Sequence, residues 1–260
     1  MRLPSWLSAR LPSWLATRGA GRPLTQAPGG EGQSAQREQA EREASLNTML
    51  RTYPANQVYS LRRGSLVPGR KLAKRLRLLF RLYPAHVESL LDIGCAQGFF
   101  VFDAARRYPG ARVVGIDASD SYQDLWREVS DGLNLSNVRF YQGFLHEFLP
   151  KLADFGGPFQ TVLLVNTYHY LYFGSGLHSF GYRDHGLIFQ MLSRLCVARL
   201  IWSSPLENEK CPSYEERGDA GADYTRDRIL EAARKFFTVE AAGSLGRRPL
   251  YLMYPRPEVG

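Results

Sequence analysis

The 260-residue chain has little cysteine, since only Cys95, Cys196 and Cys211 occur and they lie far apart. Three scattered thiols do not make a disulfide framework or the paired spacing of a zinc site, which favours a reducing compartment. The chain also lacks an apolar run approaching the roughly 18 residues of a membrane span. We therefore expect a protein without a transmembrane helix, located in the cytoplasm.

Acidic residues are missing from the first 30 positions, and the segment 51–90 contains only one, Glu88, beside nine Arg or Lys residues. That segment alone accounts for the net charge of +8. Within it, leucines recur at three- and four-residue spacing from residue 72 to residue 82, which predicts an amphipathic helix. Its polar face is either a solvated surface or a contact for RNA or another anionic surface. The basic residues concerned are Arg70, Lys71, Lys74, Arg75, Arg77 and Arg81.

The N-terminal segment combines this lack of acids with a tandem octapeptide, LPSWLSAR at residues 3–10 and LPSWLATR at residues 11–18. A stretch rich in Pro, Gly, Gln and Ser follows up to Gln39. We predict a disordered, low-complexity tail over residues 1–45. The alternatives for residues 1–30 are an organelle-targeting peptide and a peripheral membrane anchor formed by the Trp, Leu and Arg side chains.

The most informative segment, residues 87–98, combines an apolar run with a glycine turn. The run from Val87 to Ile93 predicts a buried parallel strand, Gly94 and Gly98 predict a turn, and a helical pattern starts at Phe99. Strand, glycine turn and helix form a nucleotide-binding unit. Asp92 at the strand end would repel a pyrophosphate above the turn. It would attract a ligand that carries adenosine at one end and positive charge at the other, such as S-adenosylmethionine.

A second acid lies one strand further on. Residues 112–117, RVVGID, predict a strand that ends in Asp117, where a carboxylate can bind both ribose hydroxyls. The segment LLDIGCAQGFFVFDAARRYPGARVVGIDASD resembles the class I S-adenosylmethionine-dependent methyltransferases. Ala96 occupies a position where many family members have a third glycine, and we expect it to keep a negative φ.

The resemblance implies roles for residues beyond the two acids. After the fourth strand the family often reads Asn-x-x-His-His-Leu, which Asn166, His169 and Leu171 match, with Tyr170 in place of the second His. The resemblance places Asn166 at the methionine end of the cofactor and His169 or Tyr170 toward the transferring methyl group, as catalytic residues. The remaining expected cofactor contacts are Asp92, Gly94, Ala96, Gly98, Asp117, Ala118 and Ser119, with Gln142, Gly143 and Phe144 on the adenine side.

Strands and helices are predicted to alternate after the basic segment, with strand ends near Ile93, Asp117, Tyr141, Asn166 and Ser203. Segments 238–242 and 250–254 predict a terminal antiparallel hairpin. The expected fold is therefore α/β: a three-layer, doubly wound, mostly parallel seven-stranded sheet with a C-terminal hairpin. We assign this domain to residues 85–256, preceded by a basic helical lead-in at residues 46–84.

These expectations point to an enzyme that transfers a methyl group from S-adenosylmethionine to O or N of a small organic acceptor, with neutral His169 suited to proton removal. One alternative is a tRNA or rRNA methyltransferase that uses the basic segment 62–81. Another is a methyltransferase-like binding module without turnover. His169, His178 and His185 are nine and seven residues apart, which is not the spacing of metal ligands on one helix, so no metal is expected.

Overall fold

The computed structural model describes residues 30–50, 58–175, 179–206 and 223–257. Its contacts divide the chain into two compact units, residues 1–39 and 40–260. The helices are α1 Gly30–Leu50, α2 Arg70–Phe80, α3 Phe99–Arg107, α4 Gln123–Gly132, α5 Leu145–Phe148, α6 Tyr168–Phe173, α7 His185–Leu195 and α8 Arg226–Phe236. The strands are β1 Tyr59–Arg62, β2 Ser65–Pro68, β3 Ser89–Ile93, β4 Arg112–Asp117, β5 Val138–Gln142, β6 Phe159–Val165, β7 Cys196–Ser203, β8 Phe237–Leu245 and β9 Arg248–Pro255.

Seven strands form one sheet in the order β5-β4-β3-β6-β7-β9-β8. The first five in this order are parallel, whereas β9 is antiparallel to β7 and β8 is antiparallel to β9. The chain moves outward from β3 in one direction and then returns to β6 on its other side. The carboxyl ends of β3 and β6 therefore meet at a switch point, where such sheets bind ligands.

Apolar residues cover both faces of the sheet, because successive side chains of a strand point to opposite faces. Leu91 and Ile93 of β3 belong to a core cluster with residues of α6, α7 and α8. Leu90 belongs to a second cluster with residues of α1, α2, α3 and α4. These three layers, the parallel sheet and the C-terminal strand pair confirm the predicted fold class.

Two predicted elements differ from the structure for identifiable reasons. The pattern of residues 143–152 predicts one helix, but the structure has the short α5 followed by a 3₁₀ helix, Leu149–Phe155, with Pro150 in its first turn. Proline cannot donate the hydrogen bond that would continue α5. The turn expected at residues 243–246 is narrower, since β8 continues to Leu245 through a register shift beside Gly243, where φ is 111°. Glycine accommodates such a bulge.

Before the sheet, α1 and a β1–β2 hairpin pack together. The helix starts at Gly30, inside the segment 1–45 that we predicted as a tail, while residues 1–29 lie outside the described part. Asn47 pairs with both backbone groups of Leu61, at 2.9 and 2.7 Å. Glu43 accepts hydrogen bonds from the backbone N–H groups of Arg63 and Gly64 in the hairpin turn. The sequence did not predict this hairpin, because its strands are only four residues long.

Candidate cofactor and acceptor site

The glycine turn after β3 lies between the carboxyl ends of β4 and β6. Gly94 and Gly98 have φ values of 74° and 77°, in the left-handed region that favours glycine. The N–H groups of Gly94 and Cys95 both donate to the carbonyl of Ile116, at 2.8 and 3.0 Å. A Cβ at Gly94 would lie 2.3 Å from Oγ1 of Thr167. The absence of a side chain thus allows the turn to approach the end of β6.

Two carboxylates flank this turn. Asp92 is 3% exposed, and its Oδ2 has no hydrogen-bond partner among the described residues. Burial, and then the charge of Asp117, raise the pKa of Asp92 to about 8. Oδ2 of Asp117 accepts from the N–H of Ala96 at 2.8 Å, and its Oδ1 accepts from the N–H of Ser119 at 3.0 Å. Since each carboxylate oxygen has two lone pairs, Asp117 can accept further hydrogen bonds.

Ala96 corrects one expectation, because its φ is 49° and not negative. Two hydrogen bonds hold this peptide in place: its N–H donates to Asp117, and its carbonyl accepts from Nε1 of Trp126 at 2.7 Å. The methyl group of Ala96 therefore stands in a conformation that costs about 1 kcal/mol or more for an L residue. The turn keeps the geometry of a glycine turn despite the substitution.

Two of the residues expected on the adenine side form hydrogen bonds with Asp117 and Ala118. Gln142 donates from Nε2 to the carbonyl of Ala118 at 3.0 Å. The N–H of Gly143 donates to the carbonyl of Asp117 at 2.9 Å. Phe144 follows directly and starts α5. These two hydrogen bonds hold the ends of β4 and β5 next to each other.

On the other side of the switch point, Asn166 follows β6 with a φ of 61°. The segment after it is a helix, α6, which the sequence analysis did not assign. His169 is 3% exposed, and its Nδ1 has no hydrogen-bond partner in the described part of the chain. Burial, and then the charge of Arg248, lower the pKa of His169 to about 3, so the imidazole is neutral. Tyr170 is 46% exposed and its ring centroid lies 3.9 Å from that of His169.

Comparison with known proteins relates this part of the chain to a protein family. Residues 86–174, from just before β3 to the end of α6, match the model of a family described as a methyltransferase domain. This segment contains both carboxylates, the glycine turn, Asn166 and His169. Residues 86–174 therefore contain the first part of a class I methyltransferase fold, whose sheet β7, β8 and β9 complete. The cofactor of such a domain is S-adenosylmethionine.

Several solved structures have the same fold as this chain, although their sequence identity to it is low. EvdMO1 is 17% identical and superposes with a TM-score of 0.58, over 85% of this chain and 48% of that one. WbdD, a bifunctional kinase-methyltransferase, is 22% identical with a TM-score of 0.56, over 80% of this chain and 40% of that one. The chain thus spans less than half the length of either. No curated protein matches it in sequence.

The residues of the methyltransferase domain fit its cofactor. Oδ2 of Asp92 is buried beside the turn without a hydrogen-bond partner in the described ranges, and loss of the proton that burial keeps on this carboxyl would suit it to the positively charged end of S-adenosylmethionine. Asp117 can accept from ribose hydroxyls, and Gln142, Gly143 and Phe144 line the side where adenine is expected. Asn166 follows β6, the strand beside β3, on the side where the methionine end is expected.

One residue of this edge was missed from the sequence. Arg248, in the first position of β9, donates from Nη1 to Oδ1 of Asn166 at 2.6 Å. The two residues are 82 positions apart, so no local pattern could have joined them. His178 lies outside the described residues, and His185 contacts Tyr168 through Nδ1 at 2.7 Å, inside the core. In the described ranges no three His, Cys, Asp or Glu residues group as a metal site would require, and no helix is long and apolar enough to cross a membrane.

Proposed function

We propose that the chain is an active methyltransferase whose acceptor is a small organic molecule methylated at O or N. The observation that carries this proposal is the division of one sheet edge into two parts. Asp92 and Asp117 occupy the cofactor part at β3 and β4, while Asn166, His169 and Tyr170 occupy the adjoining part at β6 and α6. An acceptor bound at the second part would meet the reactive end of the cofactor at the switch point.

S-adenosylmethionine, when bound, supplies a methyl carbon that its sulfonium already activates. The chain must then position the acceptor and accept a proton from it. Among the described residues Nδ1 of the neutral His169 imidazole has no hydrogen-bond partner, and in the tautomer with the proton on Nε2 it would accept a hydrogen bond from a hydroxyl or amine. Its low pKa makes it a weak base, so orientation by a hydrogen bond is the role we assign to it. The exposed ring of Tyr170 offers a surface for an aromatic or nitrogenous acceptor.

Cofactor binding is tested by calorimetry with S-adenosylhomocysteine. Replacement of Asp117 by Ala removes the proposed ribose acceptor and should weaken binding at least about tenfold, or about 1.4 kcal/mol. Asp120→Ala is the matched control, since Asp120 is an exposed acid three residues away. Equal affinities of wild type and Asp117→Ala would remove the assigned role of Asp117.

Turnover separates an enzyme from a binding module. Consumption of S-adenosylmethionine would be screened against pools of small metabolites, with His169→Gln and Tyr170→Phe as test variants. The proposal expects consumption with at least one pool and a lower rate in His169→Gln. Binding of S-adenosylhomocysteine without any turnover would instead favour the binding module.

RNA remains the second candidate acceptor because of one observation on α2. Four exposed cations on this helix and a fifth at its C-cap have no acidic partner within ion-pair distance among the described residues: Arg70, Lys71, Lys74, Arg77 and Arg81. Phosphate contacts make RNA affinity fall steeply with salt. Anisotropy with tRNA at about 50 and 200 mM salt, compared with Lys74→Glu/Arg77→Glu, tests it. No binding at the lower salt concentration would exclude this acceptor.

A further inference from the structure

A short segment after α6, residues 179–184, joins α6 to the first turn of α5. The N–H of Tyr182 donates to the carbonyl of Leu171 at 2.8 Å, which holds the segment against α6. The hydroxyl oxygen of Tyr182 accepts from the N–H of His146 in α5 at 3.0 Å and lies 2.9 Å from Nδ1 of the same residue. The segment is therefore held from two sides, by the helices that follow β5 and β6.

Two backbone features fix the course of this segment. A Cβ at Gly181 would lie 2.4 Å from backbone atoms of Tyr172 and Phe173, so the close approach to the end of α6 requires glycine. Arg183 has a φ of 52°, in the left-handed region that L residues rarely adopt, and its N–H donates to the carbonyl of Tyr172 at 3.1 Å. Such a conformation persists where surrounding contacts impose it, so these contacts define the shape of the segment.

Phe180 reaches from this segment to the residues that follow β5. Its ring centroid lies 5.5 Å from that of Phe144 and 5.1 Å from that of His146, and the rings of Phe144 and His146 stack on each other at 5.8 Å. We call these three residues the aromatic cluster. Phe180 is 47% exposed, and Phe144 is half-buried. The cluster therefore offers aromatic surface to a ligand at the carboxyl edge of the sheet.

The aromatic cluster adjoins the part of this edge where the ribose is expected. Phe144 follows Gly143, whose N–H donates to the carbonyl of Asp117 at 2.9 Å. The strand that ends in Asp117, β4, lies between β3 and β5. In S-adenosylmethionine the ribose joins the methionine end to the adenine, so a methionine end beside Asp92 on β3 directs the adenine away from β3, toward β5. Phe144, and the ring of Phe180 in contact with it, lie on that side.

We propose that Phe180 contacts the adenine ring of S-adenosylmethionine, together with Phe144, and so completes the adenine side of the cofactor site. Nucleobases pack on aromatic side chains through their π-faces, and this contact would cover ring surface that Phe180 exposes. Phe180 lies outside residues 86–174, the part that matches the family model, so the match assigns it no role. This inference rests on the proposed function, since it takes the placement of the cofactor from there.

Calorimetry with two ligands, S-adenosylhomocysteine and adenosine, tests this role. Adenosine lacks the amino-acid end, so it reports on the ribose and adenine contacts alone. Phe180→Ala should weaken the binding of both ligands by a similar factor, at least about fivefold, as expected when one base loses an aromatic contact. Phe180→Tyr keeps the ring and should change both affinities less than about twofold. Leu187→Ala, at an exposed apolar residue of α7, is the matched control and should change neither affinity.

The outcomes separate the inference from the proposed function. Unchanged affinity of Phe180→Ala for both ligands would refute the inference and leave the proposed function standing, and lower turnover in that variant would then assign the ring to the acceptor. Weaker binding of S-adenosylhomocysteine alone would place the ring at the amino-acid end and would also overturn the inference. If S-adenosylhomocysteine does not bind the wild type, the proposed function fails, and adenosine binding by wild type and Phe180→Ala still decides the inference. Phe180→Leu keeps an apolar contact for Tyr182 and retains the test if Phe180→Ala does not fold.

Discussion

At the scale of single residues, Ala96 shows how a turn can keep its shape without its usual residue. Two hydrogen bonds to residues outside the turn hold its φ at 49°. The N–H of Ala96 donates to the carboxylate of Asp117, and its carbonyl accepts from the indole of Trp126. Glycine would adopt this conformation freely. The strain is therefore local and removable.

Replacement of Ala96 by Gly should raise the free energy of unfolding by about 0.5–1 kcal/mol, because relief of the left-handed strain exceeds the added entropy of the unfolded chain. Urea denaturation of the free protein measures this change in the free energy of unfolding. Ala73→Gly is the opposite control: it lies inside α2 and should lower stability by about 1 kcal/mol. Destabilisation by both changes would contradict the strain at Ala96.

Asp92 predicts a pH dependence of stability. Its pKa of about 8 in the folded protein lies above its ordinary value of 3.8, so folded Asp92 keeps a proton that the unfolded chain releases. The free energy of unfolding should fall as pH rises from about 4 to about 8, by at most about 1.4 kcal/mol per pH unit from this group.

Asp92→Asn removes that contribution, and its denaturation curves should depend less on pH over this window than those of the wild type. Asp120→Asn, an exposed change, controls for the loss of one charge. Identical pH profiles for Asp92→Asn and wild type would mean that Asp92 is ionised in the folded protein.

At the scale of elements, the β1–β2 hairpin depends on a helix for its place. A four-residue strand pair is marginal on its own, and Asn47 of α1 supplies the pairing that a third strand would give. The side chain of Tyr59 then anchors the hairpin to the glycine turn, donating to the carbonyl of Gln97 at 2.7 Å. The lead-in is therefore connected to the cofactor site by a short series of hydrogen bonds.

Replacement of Asn47 by Ala should lower the free energy of unfolding by about 1 kcal/mol, since two backbone groups of Leu61 lose their partner. Thr48→Ala is the matched control, because the exposed Thr48 hydroxyl bonds only within α1, and it should change stability by less than about 0.5 kcal/mol. Thermal and urea denaturation measure both variants. Equal effects would show that Asn47 acts only through helix propensity.

At the scale of the whole molecule, the division at residue 39 predicts which part of the chain the site requires. A variant that starts at Ala40 keeps Asn47, Leu46 and Leu50, so its Tm and its affinity for S-adenosylhomocysteine should match those of the full chain. A variant that starts after Leu50 loses these contacts and should have a lower Tm. Loss of affinity in the Ala40 variant would place residues 1–39 in the function.

The sequence by itself determined the fold class and the cofactor side of the edge. These properties follow from local features of the sequence. They are the apolar runs, the spacing of Gly94 and Gly98, and the acid at the end of each of the two strands. The roles of the individual site residues stay predictions, for which the structure supplies neighbours and burial.

Only the tertiary structure decided the surroundings of the residues at the proposed acceptor side. Arg248 meets Asn166 because β9 runs antiparallel beside β7, and its position depends on contacts between residues far apart in the chain. The pKa of about 3 at His169 depends on its burial and on the charge of Arg248, which is distant in the chain. The conformation of Ala96 depends on Trp126, thirty residues away. Long-range contacts set these properties, and no short sequence window contains them.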